Sequence, residues 1–261
     1  MKIGFLQFFP ARNDVQKNIA VIHDLVQGKE FDLMVLPELA NSGYFYFDHG
    51  QLKNVSEAAD GSGPFLSSLQ EICNQKNACI ITGFSEFDGE HLYNASAAIL
   101  GSGVIAHYRK IHLYNLEKRL FQPGNTGLQL FTFNHVNIGM MICFDWIFPE
   151  VSRKLALDGA QIIAHPANLV TPYCQPAMVT RSIENRVFTI TANRYGSESS
   201  PEGEIIFTGA SQITSPRGQI LAKAPIQGPQ VQIIDVDPLE ALDKEFSPAN
   251  SLFSDRRPEH Y

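Results

Sequence analysis

Three side chains able to support nucleophilic catalysis follow apolar runs in this chain. Leu33-Met34-Val35-Leu36-Pro37 leads into Glu38, Val104–Arg109 leads into Lys110, and Val136–Ile142 leads into Cys143. If each run is a strand, a carboxylate, an amine and a thiol stand at strand carboxyl ends, where ligand sites of α/β sheets gather. A cysteine after such a run is also a serviceable small hydrophobe. What favours reactivity is the sequel Phe144-Asp145-Trp146-Ile147-Phe148-Pro149. A strand that stops at Cys143 and becomes a helix at Pro149 leaves the thiol exposed on a turn, with backbone N–H groups beside it. Glu38 either ties down the loop 39–46 or, partly desolvated, carries protons near neutrality. Lys110 either belongs to a solvated basic face with Arg109 and His112, or favours a thiolate and an anionic tetrahedral intermediate.

Other chemistry has thinner support. Cys73 and Cys79 fall on a helix face and in a strand and read as packing, whereas Cys174, beside Pro172 and Tyr173, stays open. His107, His112, His135 and His165 show no HExxH or CxxC spacing, so no zinc site is expected. His135 and His165 flank Cys143 in sequence, but nothing marks either as its base. Serines lack a GxSxG setting, and neither a P-loop nor GxGxxG occurs.

The elements that must position these residues alternate. Strands are expected at Ile3–Phe8, Leu33–Leu36, Ala78–Gly83, Leu92–Leu100, Val104–Tyr108, Leu128–Phe133, Val136–Ile142 and Ile162–His165, and four more between Val187 and Val236. Helices are expected at Asp14–Gln27, Gly63–Lys76, Pro149–Leu157 and Ala177–Arg186. That is too many strands for one open sheet, so two stacked sheets with helices outside are expected. The 261 residues, 44% of them apolar, fit one large domain. A net charge of −7 argues against nucleic acid and against an anionic membrane surface, and no run of 18 apolar residues offers a membrane span. The opening MKIGFLQFFP shows no signal peptide, and four scattered cysteines suggest free thiols in the cytoplasm.

Taken together, LMVLPELANSGY around Glu38, HYRKIHLYNLEKRLFQPG around Lys110 and Glu117, and IGMMICFDWIFPE around Cys143 resemble the three motifs of the carbon–nitrogen hydrolase (nitrilase/amidase) superfamily, in the family order. DGAQIIAHPANL, RSIENRVFTITANR and SPRGQIL extend the resemblance over about residues 2–245, and DRRPE echoes the terminal segment. The resemblance implies a four-layer α-β-β-α sandwich over residues 1–245, with an extended tail, 246–261, packing on the domain or a partner. It implies homodimers or larger homo-oligomers and no metal or organic cofactor. It assigns Glu38 as general base, Cys143 as nucleophile, and Lys110 with the Phe144 backbone N–H as oxyanion donors. Glu117, a surface glutamate on spacing alone, becomes a supporting residue that orients lysine and substrate. Tyr44, Phe45, Tyr114, Trp146, Asn168, Leu169 and Tyr173 would line the pocket, with Arg181 and Glu184 as candidates for recognising a charged substrate. Phe144-Asp145, where true nitrilases carry Trp-Glu, is similar to the amidase and carbamoylase branches. A small amide is the expected substrate, with a nitrile second and a carbamoyl group third. A silent interaction protein of this fold is the non-enzymatic alternative.

Overall fold

The apolar runs do become strands, and alternation along them decides what each face meets. The computed structural model describes residues 1–200 and 203–260. In chain order it begins with β1 (Lys2–Gln7), α1 (Val15–Val26), β2 (Leu33–Val35), α2 (His49–Lys53) and α3 (Pro64–Lys76). There follow β3 (Cys79–Phe87), β4 (Leu92–Leu100), β5 (Gly103–Arg109), α4 (Glu117–Leu120), β6 (Leu130–Phe133) and β7 (Val136–Met140). Then come α5 (Pro149–Leu157), β8 (Ile162–Ala167), α6 (Cys174–Asn185), β9 (Phe188–Asn193), β10 (Tyr195–Ser200) and β11 (Gly203–Thr208). The last are β12 (Gln212–Thr214), β13 (Ile220–Lys223), β14 (Gln230–Asp235), β15 (Glu245–Ser247) and β16 (Asn250–Ser251).

Two six-stranded sheets result, ordered β14-β1-β2-β3-β4-β5 and β13-β12-β9-β8-β7-β6. On β1, Ile3 and Phe5 point into a core shared with Ile138, Ile162 and Ile190 of the second sheet. Leu6 points the other way, to Ile22 and Val26 of α1 and Phe65, Leu69 and Ile72 of α3. Val151 and Leu155 of α5 and Met178 of α6 close the second sheet from outside. The layers are therefore α-β-β-α, as expected. Burying a side chain such as Phe5 contributes about 1.5–3 kcal/mol, so period-two alternation sets the stacking by itself.

Three parallel strands lie at the centre of each sheet. β1, β2 and β3 align as Ile3, Leu33 and Cys79, and β7, β8 and β9 as Ile138, Ile162 and Phe188. β5 is two antiparallel steps from β3, so it ends at the same edge of its sheet as β2. Glu38 and Lys110 thus leave the first sheet side by side.

Local departures have local causes. α1 starts one residue late because Asp14 is its cap, its side chain accepting from Lys17 N. β7 stops at Met140, two residues early, where the chain enters the turn that carries Cys143. The β10–β11 ribbon was not expected, since YGSESS offers no apolar alternation. In the C-terminal segment Ser247 pairs with Asn250, and Phe253 packs beneath Arg153 and Lys244. Tyr261, the last residue of the expected tail, and Pro201 and Glu202, within the expected 1–245 domain, lie outside the described residues.

Candidate active site

Glu38 lies three residues beyond β2, on backbone that stays close to β3. Gly83 N donates to Pro37 O at 3.1 Å, and Ala40 N donates to Gly83 O at 2.9 Å. A Cβ on Gly83 would lie 2.4 Å from the Glu38 Cα, so only glycine permits this approach. The Glu38 carboxylate is fully buried. Its Oε1 accepts from Asn94 Nδ2 and from Lys110 Nζ, both at 2.7 Å. Its Oε2 is buried and has no hydrogen-bond partner in the protein.

Lys110 is held through its backbone as well as its ammonium. Its N–H donates to Asn94 O at 2.8 Å, and its carbonyl accepts from Gly124 N at 2.8 Å. Any Cβ at position 124 would come within 1.9 Å of Arg109 O, so the strap over Lys110 also requires glycine. Nζ reaches Glu117 as well, at 2.9 Å to Oε1 and 2.8 Å to Oε2. Burial alone would lower the lysine pKa, but the Glu117 and Glu38 carboxylates outweigh it and hold the pKa well above its ordinary value. Lys110 is therefore a permanent buried cation.

Glu117 opens the short helix α4 and is buried rather than solvated, contrary to what its spacing suggests. Tyr44 Oη donates to its Oε1 at 2.8 Å, and Tyr114 N donates to its Oε2 at 3.1 Å. Burial raises the Glu117 pKa against the pull of Lys110. Burial, then the Glu117 and Glu38 charges, also holds the Tyr44 hydroxyl well above its usual range, so it remains a donor. Two carboxylates thus share one ammonium.

Cys143 stands on a turn with φ of 41°, in the left-handed region. For a residue with a Cβ, such a conformation costs on the order of 1–3 kcal/mol and needs support from its surroundings. Asp145 supplies one part of that support. Its Oδ2 accepts from Ile142 N at 2.9 Å and from Tyr108 Oη at 2.8 Å, and its Oδ1 lies 2.8 Å from His112 Nδ1. His165 supplies the other. Its Nε2 donates to the Cys143 carbonyl at 3.0 Å, which leaves Nδ1 to accept from Thr191 Oγ1 at 3.1 Å. Burial lowers the His165 pKa to about 4, so the ring is neutral at physiological pH. With both nitrogens engaged, His165 is no base for the thiol.

The expectation of an exposed thiol needs correction. Cys143 is only 5% exposed. Burial and then the Glu38 charge push its pKa well above the ordinary thiol value, with Lys110 and a hydrogen bond from the Asn168 backbone pulling the other way. At rest it is a neutral thiol.

Cys143 opens into a cavity of about 160 Å³ walled by Tyr114, Trp146, Asn168, Leu169 and the exposed Tyr173. Tyr44 and Phe45 lie instead in an adjoining cavity of about 410 Å³ with Glu117 and Glu204; Tyr114 and Val170 border both spaces. Asn168 also ties the two sheets together, its Nδ2 donating to Glu38 O at 3.0 Å. Arg181 and Glu184 pair with each other at 3.0 Å on α6. Asn94 lies in no motif, the motifs that hold Asp145 and His165 do not announce the contacts of those side chains, and Glu204 belongs to the unexpected ribbon. Among the described residues no group of three or more His, Cys, Asp or Glu side chains could hold a metal ion, and no helix is long and apolar enough to cross a membrane.

The carbon–nitrogen hydrolase family pattern matches residues 2–241. A nitrilase of Pyrococcus abyssi is 36% identical over 266 residues, covering 100% of this chain and 99% of the relative. An (R)-stereoselective amidase of Pseudomonas sp. is 29% identical, covering 94% and 89%. Among solved structures, a double mutant of the amidase from Nesterenkonia sp. AN1 in complex with acrylamide superposes with a TM-score of 0.80. It is 23% identical and covers 100% of this chain and 95% of that one, a likeness of fold.

Proposed function

The chain belongs to the carbon–nitrogen hydrolase family and is a hydrolase, and from that premise we propose a cysteine-dependent amidohydrolase that cleaves a small carboxamide to acid and ammonia through a thioester. The observation that carries the proposal is Lys110 Nζ bridging Glu38 and Glu117 while Glu38 keeps one buried oxygen unpartnered near a neutral thiol. Glu38 Oε2 takes the Cys143 proton as sulfur attacks the carbonyl carbon, and the carbonyl π pair moves to oxygen. The Lys110 ammonium and the Phe144 N–H hold that oxyanion. Glu38 returns the proton to nitrogen, the C–N bond breaks, and ammonia leaves a thioester. Glu38 then deprotonates a water that attacks the thioester, and the proton goes back to sulfur as the acid departs. Glu117 keeps Lys110 in place throughout.

A cavity of about 160 Å³ with aromatic walls suits a short aliphatic or small aromatic acyl group. The charged residues lining the two cavities are Glu117 and Glu204, which favours neutral or cationic substrates over anionic ones. The buried, unlinked state of all four cysteines supports a reducing location such as the cytoplasm. Exposed Ile147, Leu157 and Ile183 support a homodimer or larger homo-oligomer, which sedimentation would test. The division into domain 1–245 and tail 246–261 is part of the same proposal.

Nitrile hydrolysis is the second reading, favoured by the Pyrococcus abyssi relative. The distinction drawn from Asp145 loses its direct basis, because that carboxylate holds the turn through Tyr108, His112 and Ile142 N. The amide reading rests instead on proton economy, since an amide needs one hydration at this site and a nitrile needs two. Ammonia release from three matched amide–nitrile pairs decides it. A higher kcat/KM for the amides is expected, and the reverse order would make the enzyme a nitrilase with the same residues in the same roles.

A further inference from the structure

The β10–β11 ribbon sends a buried ion pair toward the loop that follows Glu38. Arg194 is fully buried, its guanidinium between the rings of Phe9, at 4.7 Å, and Phe207, at 4.1 Å. Its NH1 donates to Glu198 Oε1, and its NH2 donates to Pro10 O at 3.3 Å. Glu198 uses its other capacity on two consecutive backbone amides. Oε1 accepts from Tyr44 N at 3.0 Å, and Oε2 accepts from Phe45 N at 2.8 Å.

Replacing a buried ion pair with well-packed apolar residues is often neutral or stabilising, so stability alone is a poor reason for this one. What it does achieve is geometric. Tyr44 is gripped at its backbone by Glu198 and at its ring by Phe207, edge-on at 5.7 Å. The remaining group, its hydroxyl, points at Glu117 Oε1. A continuous chain of charge-assisted contacts therefore runs from Arg194 through Glu198, Tyr44 and Glu117 to Lys110.

We propose that Glu198, locked by Arg194, is a positioning residue of this active site: it fixes Tyr44 so that the phenol holds Glu117, and Glu117 in turn holds Lys110 against the reacting carbonyl. The inference rests on the catalytic assignment above and adds two residues, Arg194 and Glu198, that touch no reacting atom. Glu198→Gln keeps the volume and one acceptor but loses the charge and one amide contact. Tyr44→Phe removes the hydroxyl alone and leaves the ribbon intact.

The experiment measures kcat and KM for a small amide with both variants and the double variant, together with the pH dependence of Cys143 alkylation by iodoacetamide. Each single variant should lose about 10–100-fold in kcat with KM changed less than about threefold, and the double variant should be no worse than the poorer single. Alkylation should need a higher pH in both, because a loosened Lys110 supports the thiolate less well. Losses that multiply in the double variant would overturn the proposal, as would unchanged kcat in Tyr44→Phe. If Glu198→Gln fails to fold, Arg194→Lys, which loosens the same carboxylate, takes its place under the same criteria. A wild-type enzyme that releases no ammonia from amides or nitriles would sink the hydrolytic assignment instead. The alkylation profiles then still decide about the clamp, and unshifted profiles in both variants refute it.

Discussion

Glu38, Lys110 and Glu117 come from the first sheet and the segment that leaves it, and the contacts among them are ionic. Cys143 comes from the second sheet, and the contacts that support it aim at its backbone: His165 at its carbonyl and Asp145 at the preceding amide. One side of the site arranges charge and the other arranges shape. The difference teaches that the Cys143 thiol is not kept ionised in advance. In the proposed reaction, the carboxylates and ammonium of the charged side act only when a carbonyl arrives. Mutations on the two sides should therefore fail differently, the first in proton handling and the second in geometry or acid stability.

The sharpest test removes the thiol itself. Cys143→Ala should lower ammonia release by at least about 10³-fold while leaving the thermal transition nearly unchanged. Retention of more than a few per cent of activity would place the nucleophile elsewhere. Next come the charged partners. Glu38→Gln should slow both acylation and thioester hydrolysis by about 10²–10⁴, and Lys110→Met should cost about 10²–10³. Iodoacetamide should label Cys143 more slowly without Lys110, whereas the Glu38 variant should lose much more in turnover than in labelling. Equal labelling in Lys110→Met, together with normal turnover, would leave Lys110 as a structural counter-ion of Glu38 and Glu117 alone.

On the shape-holding side the expected effect is on stability. His165 titrates at about 4 in the folded protein against 6.5 when unconstrained. Between those values the unfolded chain binds the extra proton, so stability is full above about pH 6.5 and falls as the pH drops toward 4. The loss from this one residue is on the order of 3 kcal/mol. Urea unfolding followed against pH should show that slope, and His165→Gln should flatten it; an unchanged slope would mean that other groups carry it. The smallest effect belongs to Glu204, at the wide cavity. Glu204→Lys should shift the kcat/KM ratio between matched cationic and neutral amides by about three- to tenfold toward the neutral one. A ratio that stays put would remove Glu204 from substrate selection.

The sheets were legible because their strands are apolar runs with turn residues at their ends, and Glu38, Lys110 and Cys143 stood out as reactive groups closing such runs. The α-helices α1, α3 and α5 were legible for the same reason, with Asp14, Pro64 and Pro149 marking their starts. Long-range supports were not. Asn94 sits within LYNASAAIL and looks like any strand residue until its side chain is seen on Glu38, 56 positions earlier. The burial of Glu117 depends on the descent of α4 onto Tyr44, which no local period encodes; only the resemblance suggested its role. The β10–β11 ribbon escaped because YGSESS has the composition of a loop and is ordered by pairing to β11 and by the ion pair beneath it. Cys143 looked exposed because the turn was visible in sequence, while the residues that roof it arrive from Tyr114 and from the segment after β8.

A thiol that stays protonated is also a poor target for peroxide, which oxidises thiolates far faster than thiols. In the proposed reaction, the thiolate forms only as a substrate carbonyl reaches Cys143. On that proposal, the same burial that demands an internal base would also act as storage, keeping Cys143 chemically intact between turnovers.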